Sequence, residues 1–285
     1  MVNFLETPSL LSKGVYLQLV VEMKLLDDAI IRSNEAEEVL TYHYKAETLG
    51  NRFIIPWRKV KGKLRRLVLE KQRGFGIQPD CALKDDLCLN CPSCLLFGGT
   101  GETSSSKVQY NILSRVLGET FISTEKVEGI QNYTQNAVGE KDLMTGQALM
   151  TILTVPKETV FKGVVTIKDP TTVMAAIIAD NIKRLTRIGA RSVEWGRVET
   201  QIINYKLSDR EDISVYNMLQ LQNVQQTIQQ VDVDSFINSL PDVQNAYTIL
   251  NNQIPTVLGD LIARRQPKKE KKPKSKEEGV ETGEE

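Results

Sequence analysis

All four cysteines of this 285-residue chain fall within fourteen residues, as Cys81-x6-Cys88-x2-Cys91-x2-Cys94. The N-terminus, MVNFLETPSLL, has no basic region followed by an apolar core, so it does not read as a secretory signal. Clustered cysteines without an export signal argue against a disulfide framework and for a metal. Four thiolates in one short loop are the ligand set of a closed, structural zinc site. An iron–sulfur cluster is the alternative metal reading, since Cys-x2-Cys-x2-Cys beside a proline overlaps that vocabulary. Four buried free thiols is the plainest reading. A metal held by all four thiolates has no open position for chemistry. It acts as a staple for an inserted loop that cannot build its own core, with binding of roughly 10–16 kcal/mol in comparable sites.

Around this loop the chain alternates strands and helices. Residues 15–26, VYLQLVVEMKLL, read as a strand, and residues 27–53 form a polar, acidic connection. A helix is expected from about Trp57 to Gln72, with Pro56 able to take its first position and Val60, Leu64 and Val68 facing the core. β-Like stretches follow at Lys107–Val116 and Thr120–Val127, then at Leu149–Val155 and Thr159–Ile167. Residues 128–148 between them read as an extended loop or long hairpin. Asp169 as N-cap and Pro170 at the first position open a second helix, running to about Arg187 with Val173, Ile177, Ile178 and Ile182 on its apolar face. The last strand is Trp195–Leu207. The fold class is therefore α+β, a ferredoxin-like or RRM-like βαββαβ core carrying a zinc-loop insertion, a hairpin and a C-terminal helical part. Its expected divisions are a core over 1–207, with insertions at 27–53, 75–106 and 128–148, and a helical region over 208–265. Residues 266–285, with six Lys followed by five Glu, form a charged disordered tail.

Net charge is zero, with 36 Lys and Arg against 36 Asp and Glu, so a nucleic-acid site requires a local concentration of cations. Residues 57–74 provide one, with eight Lys or Arg and a single Glu. The segment IIPWRKVKGKLRR places Trp57, Arg58, Lys61, Arg65 and Arg66 on the first helix, with Gly62 among them where Ala would be better by roughly 1 kcal/mol. A missing Cβ beside cations suggests close approach of a phosphodiester chain; a solvated basic face is the bland alternative. A second Gly-containing basic segment holds Gly189, Arg191, Ser192, Trp195 and Arg197. In a split βαβ fold both segments can reach one face, where Trp57 or Trp195 could stack a base, unless both indoles belong to the core. Six phosphate contacts would give log K a slope near −4 against log salt.

Catalytic chemistry has little to stand on. His43 is the sole histidine, and Gly98-Gly-Thr-Gly101 lacks the Gly-Lys-Ser/Thr ending of a phosphate-binding loop. Asp27, Asp28 and Glu35 in the acidic connection could hold Mg²⁺ beside a phosphodiester, or simply be solvated. The longest apolar run, Val173–Ala179, is too short to span a bilayer, and a soluble cytoplasmic protein without membrane partners is expected.

Three stretches resemble the CRISPR-associated RAMP superfamily, specifically the backbone subunit of subtype I-D Cascade-like effectors. IIPWRKVKGKLRR looks like its apolar-Pro-x4-Lys-Gly-x-Leu-Arg segment, although Trp57-Arg-Lys-Val replaces the usual Gly-Ser-Ser before Lys-Gly. LTVPKETVFKGVVTI is similar to its Val-Pro-x4-Phe strand pair, and IGARSVEWGRV to its late Gly-rich loop. CPSCLLFG resembles the end of the zinc-binding insertion of the subtype I-D member, which also recurs in the type III backbone subunit. The resemblance covers about residues 15–207. It implies several copies coating a CRISPR RNA, other effector subunits as partners, and a guide presented to a target DNA strand. It also implies a thumb hairpin that displaces a guide base, with Gln131, Asn132, Lys141 and Met144 among the RNA contacts. Type III relatives cut target with an Asp after the first strand. This makes a Mg²⁺-dependent nuclease acting on single-stranded target the second functional reading, and an unrelated zinc-containing RNA-binding protein the third.

Overall fold

In the computed structural model the described residues are 2–32, 41–43, 50–83, 87–101, 110–127, 131–138, 145–220 and 231–265. In chain order they form β1 (Tyr16–Leu25), β2 (Thr41–His43), β3 (Asn51–Ile55), α1 (Trp57–Gly74), α2 (Pro92–Phe97), β4 (Gly99–Gly101), β5 (Tyr110–Ile112), β6 (Val116–Gly118) and β7 (Phe121–Ser123). There follow β8 (Gln131–Val138), β9 (Thr145–Thr154), β10 (Val160–Lys168), α3 (Thr172–Lys183), β11 (Val198–Ser208), α4 (Val215–Gln220), α5 (Val233–Ser239) and α6 (Val243–Arg265).

The main sheet is antiparallel and runs β11-β1-β10-β7-β3-β2, with β6 also paired to β10. Its centre follows from the sequence of β1, whose alternate residues Leu17, Leu19, Val21, Met23 and Leu25 all join the main core. Across the register Leu17 meets Ile167, Leu19 meets Val165 and Met23 meets Phe161, so one sheet face is continuously apolar. Helices α1 and α3 cover that face. Val60, Leu64 and Val68 of α1 are buried at the expected i, i+4, i+8 spacing. Helix α3 is buried on nearly every side, because α6 crosses over its back with Ala246, Tyr247 and Leu250.

The opposite sheet face is polar along β1 and carries a strap that no spacing in the sequence announces. The Gln18 side chain accepts from the amides of Asp212 and Ile213 at 2.7 and 2.9 Å and donates to the Ile213 carbonyl at 2.8 Å. Val215 and Leu219 of α4 then pack on Ile122 and Val164 as a small second core. Glu119 holds the strap through the Val215 amide at 2.6 Å, and its partial burial pushes that carboxyl above its usual range.

Several boundaries differ from the expectations drawn from sequence, among them the last strand, which begins at Val198 rather than Trp195, and the strand expected over Thr120–Val127, which is confined to Phe121–Ser123. Pro56 is the N-cap of α1 rather than its first helical residue. The N-cap of α3 is Thr171, whose Oγ1 accepts from the Met174 amide, and not Asp169. Asp169 is drawn away by a distant segment, its carboxylate taking the amides of Lys13 and Val15 at 2.9 and 3.2 Å. Helix α3 ends at Lys183 rather than Arg187, because the chain at Thr186–Ile188 pairs with Gly196–Val198 at the start of β11. The segment 221–230, expected to be helical through Leu221, Val224 and Ile228, lies outside the described residues, as does the tail 266–285.

Candidate nucleic-acid interface and cysteine centre

The cysteine centre grows from the end of α1. Leu69 packs with Cys81, Cys91 and Cys94, joined by Leu83, Leu87 and Cys88. Gln72 accepts from the Ser93 amide at 3.2 Å, and Arg73 donates to the Cys81 carbonyl at 2.6 Å. On its other side α2 sends Leu95, Leu96 and Phe97 into the main core. The loop is thus fastened at both ends to the body of the molecule.

All four sulfurs lie within 4.8 Å of one another. Cys81 to Cys94 is 3.8 Å, Cys81 to Cys91 is 3.7 Å and Cys88 to Cys94 is 4.0 Å. A zinc tetrahedron with Zn–S near 2.3 Å has edges of about 3.8 Å, so the arrangement fits such an ion. Cys91 is also the N-cap of α2, its sulfur accepting the Cys94 amide at 3.4 Å, and Cys88 accepts the Asn90 amide at 3.4 Å. These amides orient the thiolates and offset part of their charge. Hydrogen bonds from Cys88, Cys91 and Cys94 draw the Cys81 thiol down, while sharing with Cys81, Cys88 and Cys91 pushes Cys94 up. These four residues are close enough to hold a metal such as zinc.

Helical spacing places Lys61 and Arg65 two turns and one turn before Leu69, on the flank of α1 that faces the cysteine loop. Both side chains are half-buried. Burial, and then the neighbouring Arg65 charge, lower the Lys61 ammonium pKa. The Nε and Nη2 of Arg65 are shut off from solvent and have no hydrogen-bond partner among the described residues. That edge of a guanidinium is suited to bidentate contact with phosphate or carboxylate. A Cβ built on Gly62 meets nothing within 4 Å, so no described part of the protein uses the space beside it. Arg58 and Arg66 are exposed. Trp57 packs on the core, and a Cβ at Gly118 would lie 2.9 Å from its ring. This indole is half-buried.

The opposite flank of α1 belongs to α3. Lys71 pairs with Asp180 at 2.9 Å, and Arg184 donates to the Leu67 carbonyl at 3.2 Å. Tyr247 of α6 completes this seam, receiving Asn181 at 3.0 Å and donating to the Val68 carbonyl at 3.4 Å.

The second basic segment has different neighbours. The Ala190 amide donates to Ile30 and the Gly196 amide to Asp28, each at 2.8 Å, clamping the loop onto the chain that follows β1. A Cβ on Gly189 would lie 2.7 Å from the Ile30 carbonyl, and one on Gly196 only 2.0 Å from that of Ile188. Both glycines have positive φ, +93° and +73°. Arg191 and Arg197 are exposed, and Ser192 and Trp195 half-buried. Arg187, which the sequence does not single out, pairs through its backbone with Arg197 and has a buried Nη1 without a hydrogen-bond partner among the described residues. No spacing rule distinguishes it from the other arginines of RLTRIGARS.

Asp28 lies at the meeting point of three segments. It is 6% exposed, and its carboxylate accepts the Lys157 amide at 2.7 Å while its carbonyl accepts Gly196. The Asp27 carboxylate accepts the Asp28 amide at 2.8 Å. The start of the acidic connection is therefore buried, and its pairing with Val155 and Ala190 replaces the solvated loop that the charges suggest. Glu35 lies outside the described residues.

The β8–β9 hairpin pairs Gln131 with Thr154 and Asn132 with Leu153 in an antiparallel ladder. Lys141 and Met144, between its two strands, lie outside the described residues. No helix among the described residues is long and apolar enough to cross a membrane.

Comparison with solved structures aligns the chain with a crystal structure of Thermofilum pendens Csc2 at 18% identity and a TM-score of 0.59, covering 88% of this chain and 91% of that one. That likeness supports the α+β fold. A chain of a Type IV-B CRISPR complex aligns at 15% identity and a TM-score of 0.48, over 65% of this chain and 90% of that one. A chain of the Type III-B Cmr-beta complex bound to cognate target RNA aligns at 15% and 0.40, over 67% and 60%. No curated protein matches the sequence. A family model described as Csc2 Crispr matches residues 8–275, nearly the whole chain, and the protein therefore belongs to the Csc2 CRISPR family.

Proposed function

We propose that this chain is the guide-coating backbone subunit of a subtype I-D Cascade-like effector, gripping CRISPR RNA by its sugar–phosphate chain. The observation that carries the reading is the Arg65 fork, two buried nitrogens without an acceptor among the described residues, beside the desolvated Lys61 and the space at Gly62 that no described residue uses. A phosphodiester supplies an acceptor of the right charge and width. Arg58 and Arg66 would extend the contact along α1, while Arg191 and Arg197 would add exposed cations near the hairpin base. The strand order β11-β1-β10-β7, with α1 and α3 in the crossovers, supports a ferredoxin-like core over residues 1–207 bearing the zinc loop and the thumb. Copies of the chain would line up along one guide, contact other effector subunits and present the guide to a target DNA strand in the cytoplasm. Zinc is the proposed structural metal.

The nuclease alternative gains no support from the acidic residues described, since Asp28 and Asp27 spend carboxylate oxygens on backbone amides. An unrelated zinc-containing RNA-binding protein is set aside by family membership. The test is copurified nucleic acid, sized on a denaturing gel, followed by nuclease footprinting of the assembled complex. RNA of discrete length, protected at a regular interval, is expected. Nucleic-acid-free monomers with no affinity for single-stranded RNA would overturn the proposal.

A further inference from the structure

One flank of helix α1 carries both the phosphate-facing cations and the attachment of the cysteine loop. Along that flank Lys61 and Arg65 supply the charge, and one turn later Leu69 enters the cysteine cluster. Gln72 and Arg73 then tie the helix end to Ser93 and Cys81. We infer that metal occupancy of the four-cysteine centre and nucleic-acid binding on α1 are positively linked, each strengthening the other. The inference rests on the function proposed above.

The physical argument is one of preorganisation. Leu69, Leu83 and Leu87 form a satellite cluster with the four cysteines, which has little apolar area of its own to hold it together. In such loops metal binding is itself the folding free energy. With the metal bound, the loop is fixed, Leu69 stays covered and the last turns of α1 are tied on two sides. The half-buried Arg65 side chain is then held in one place, its covered Nε–Nη2 edge unpaired among the described residues, so a phosphate that displaces that cover engages a group whose side-chain entropy has already been lost. Without the metal the loop loosens and the ties at Gln72 and Arg73 go with it. The arginine returns to solvent, where it must be reordered for each contact. Linkage requires the effect to be reciprocal: whatever factor zinc adds to RNA affinity, RNA adds to zinc affinity.

The test uses the full-length zinc-loaded protein and an unstructured polyuridine oligonucleotide. Zinc affinity is measured by competition with a chromophoric chelator, with and without saturating RNA. RNA should tighten zinc binding by roughly 5- to 150-fold, the usual range of such couplings. Because the measurement starts from the loaded protein, it does not depend on a metal-free form that stays folded. Arg65→Ala should reduce the RNA protection of zinc toward unity. Zinc affinity that is the same within about twofold with and without bound RNA would overturn the linkage while leaving the proposed function standing. Full protection in Arg65→Ala would likewise overturn the route through this flank. A loaded protein that binds no RNA would overturn both.

Discussion

Gly62 in α1 and Gly196 before β11 both sit among cations, yet the fold needs only one of them. At Gly196 the backbone has φ of +73° and a Cβ would lie 2.0 Å from the Ile188 carbonyl, so the protein's own structure accounts for the glycine completely. At Gly62 the backbone is helical, and a Cβ would meet no atom of the other described residues within 4 Å. A glycine that packing demands carries no information about a ligand. One that packing among the described residues leaves unexplained costs about 1 kcal/mol of helix stability with no described internal gain, and beside Lys61 and Arg65 the proposed function assigns that space to a partner. The same contrast separates the arginines: Arg191 is exposed, whereas Arg65 has buried nitrogens that no described group satisfies.

The largest effect that tests this contrast is Gly196→Ala. A left-handed backbone for a residue with a side chain, together with the contact at Ile188, should cost about 2–4 kcal/mol and lower Tm by on the order of 10 °C. RNA affinity of the folded protein should change little. An unchanged Tm would break the comparison at its structural end. Arg65→Ala comes next. Losing a charge-assisted contact should weaken single-stranded RNA binding by about 1.5–3 kcal/mol, read by fluorescence anisotropy, with Tm within about a degree of wild type or above it. A large fall in Tm with unaltered affinity would make Arg65 a structural residue. The smallest is Gly62→Ala, where two readouts move in opposite directions. Stability should rise by about 0.5–1 kcal/mol in urea titration while RNA affinity falls, because the added methyl occupies space reserved for the partner. A rise in stability with full affinity would return Gly62 to the solvated face.

What could be read from the sequence follows the range of the interactions. The core face of α1 is local, and Val60, Leu64 and Val68 reveal it by spacing alone. The four cysteines cluster within one loop, and their spacing is enough to bring the sulfurs together. The errors occur where a distant segment takes a residue away from its neighbours. Asp169 looks like a helix cap in sequence, but it binds the amides of Lys13 and Val15. Asp27 and Asp28 look like a solvated acidic pair, but contacts with Lys157 and Gly196, more than a hundred residues on, place Asp28 inside. The strap at 212–219 follows the same logic, since only the fold brings Gln18 beneath Asp212. The cysteine loop shows a subtler case. Its ligands are legible, whereas its union with the main core through Leu95, Leu96 and Phe97 is not. That union implies that Cys88→Ser, besides removing one of the four sulfurs, disturbs the body of the protein and not the insertion alone.

The central claim is that α1 holds a single strand by its phosphates, and the salt dependence of RNA binding tests it most directly. For oligonucleotides of unrelated sequence, log K against log salt should fall with one common slope near −4. Arg65→Ala should lower its magnitude by about 0.7, the share of one phosphate on a single strand. A slope that differs between sequences, or one that Arg65→Ala leaves unaltered, would contradict the account.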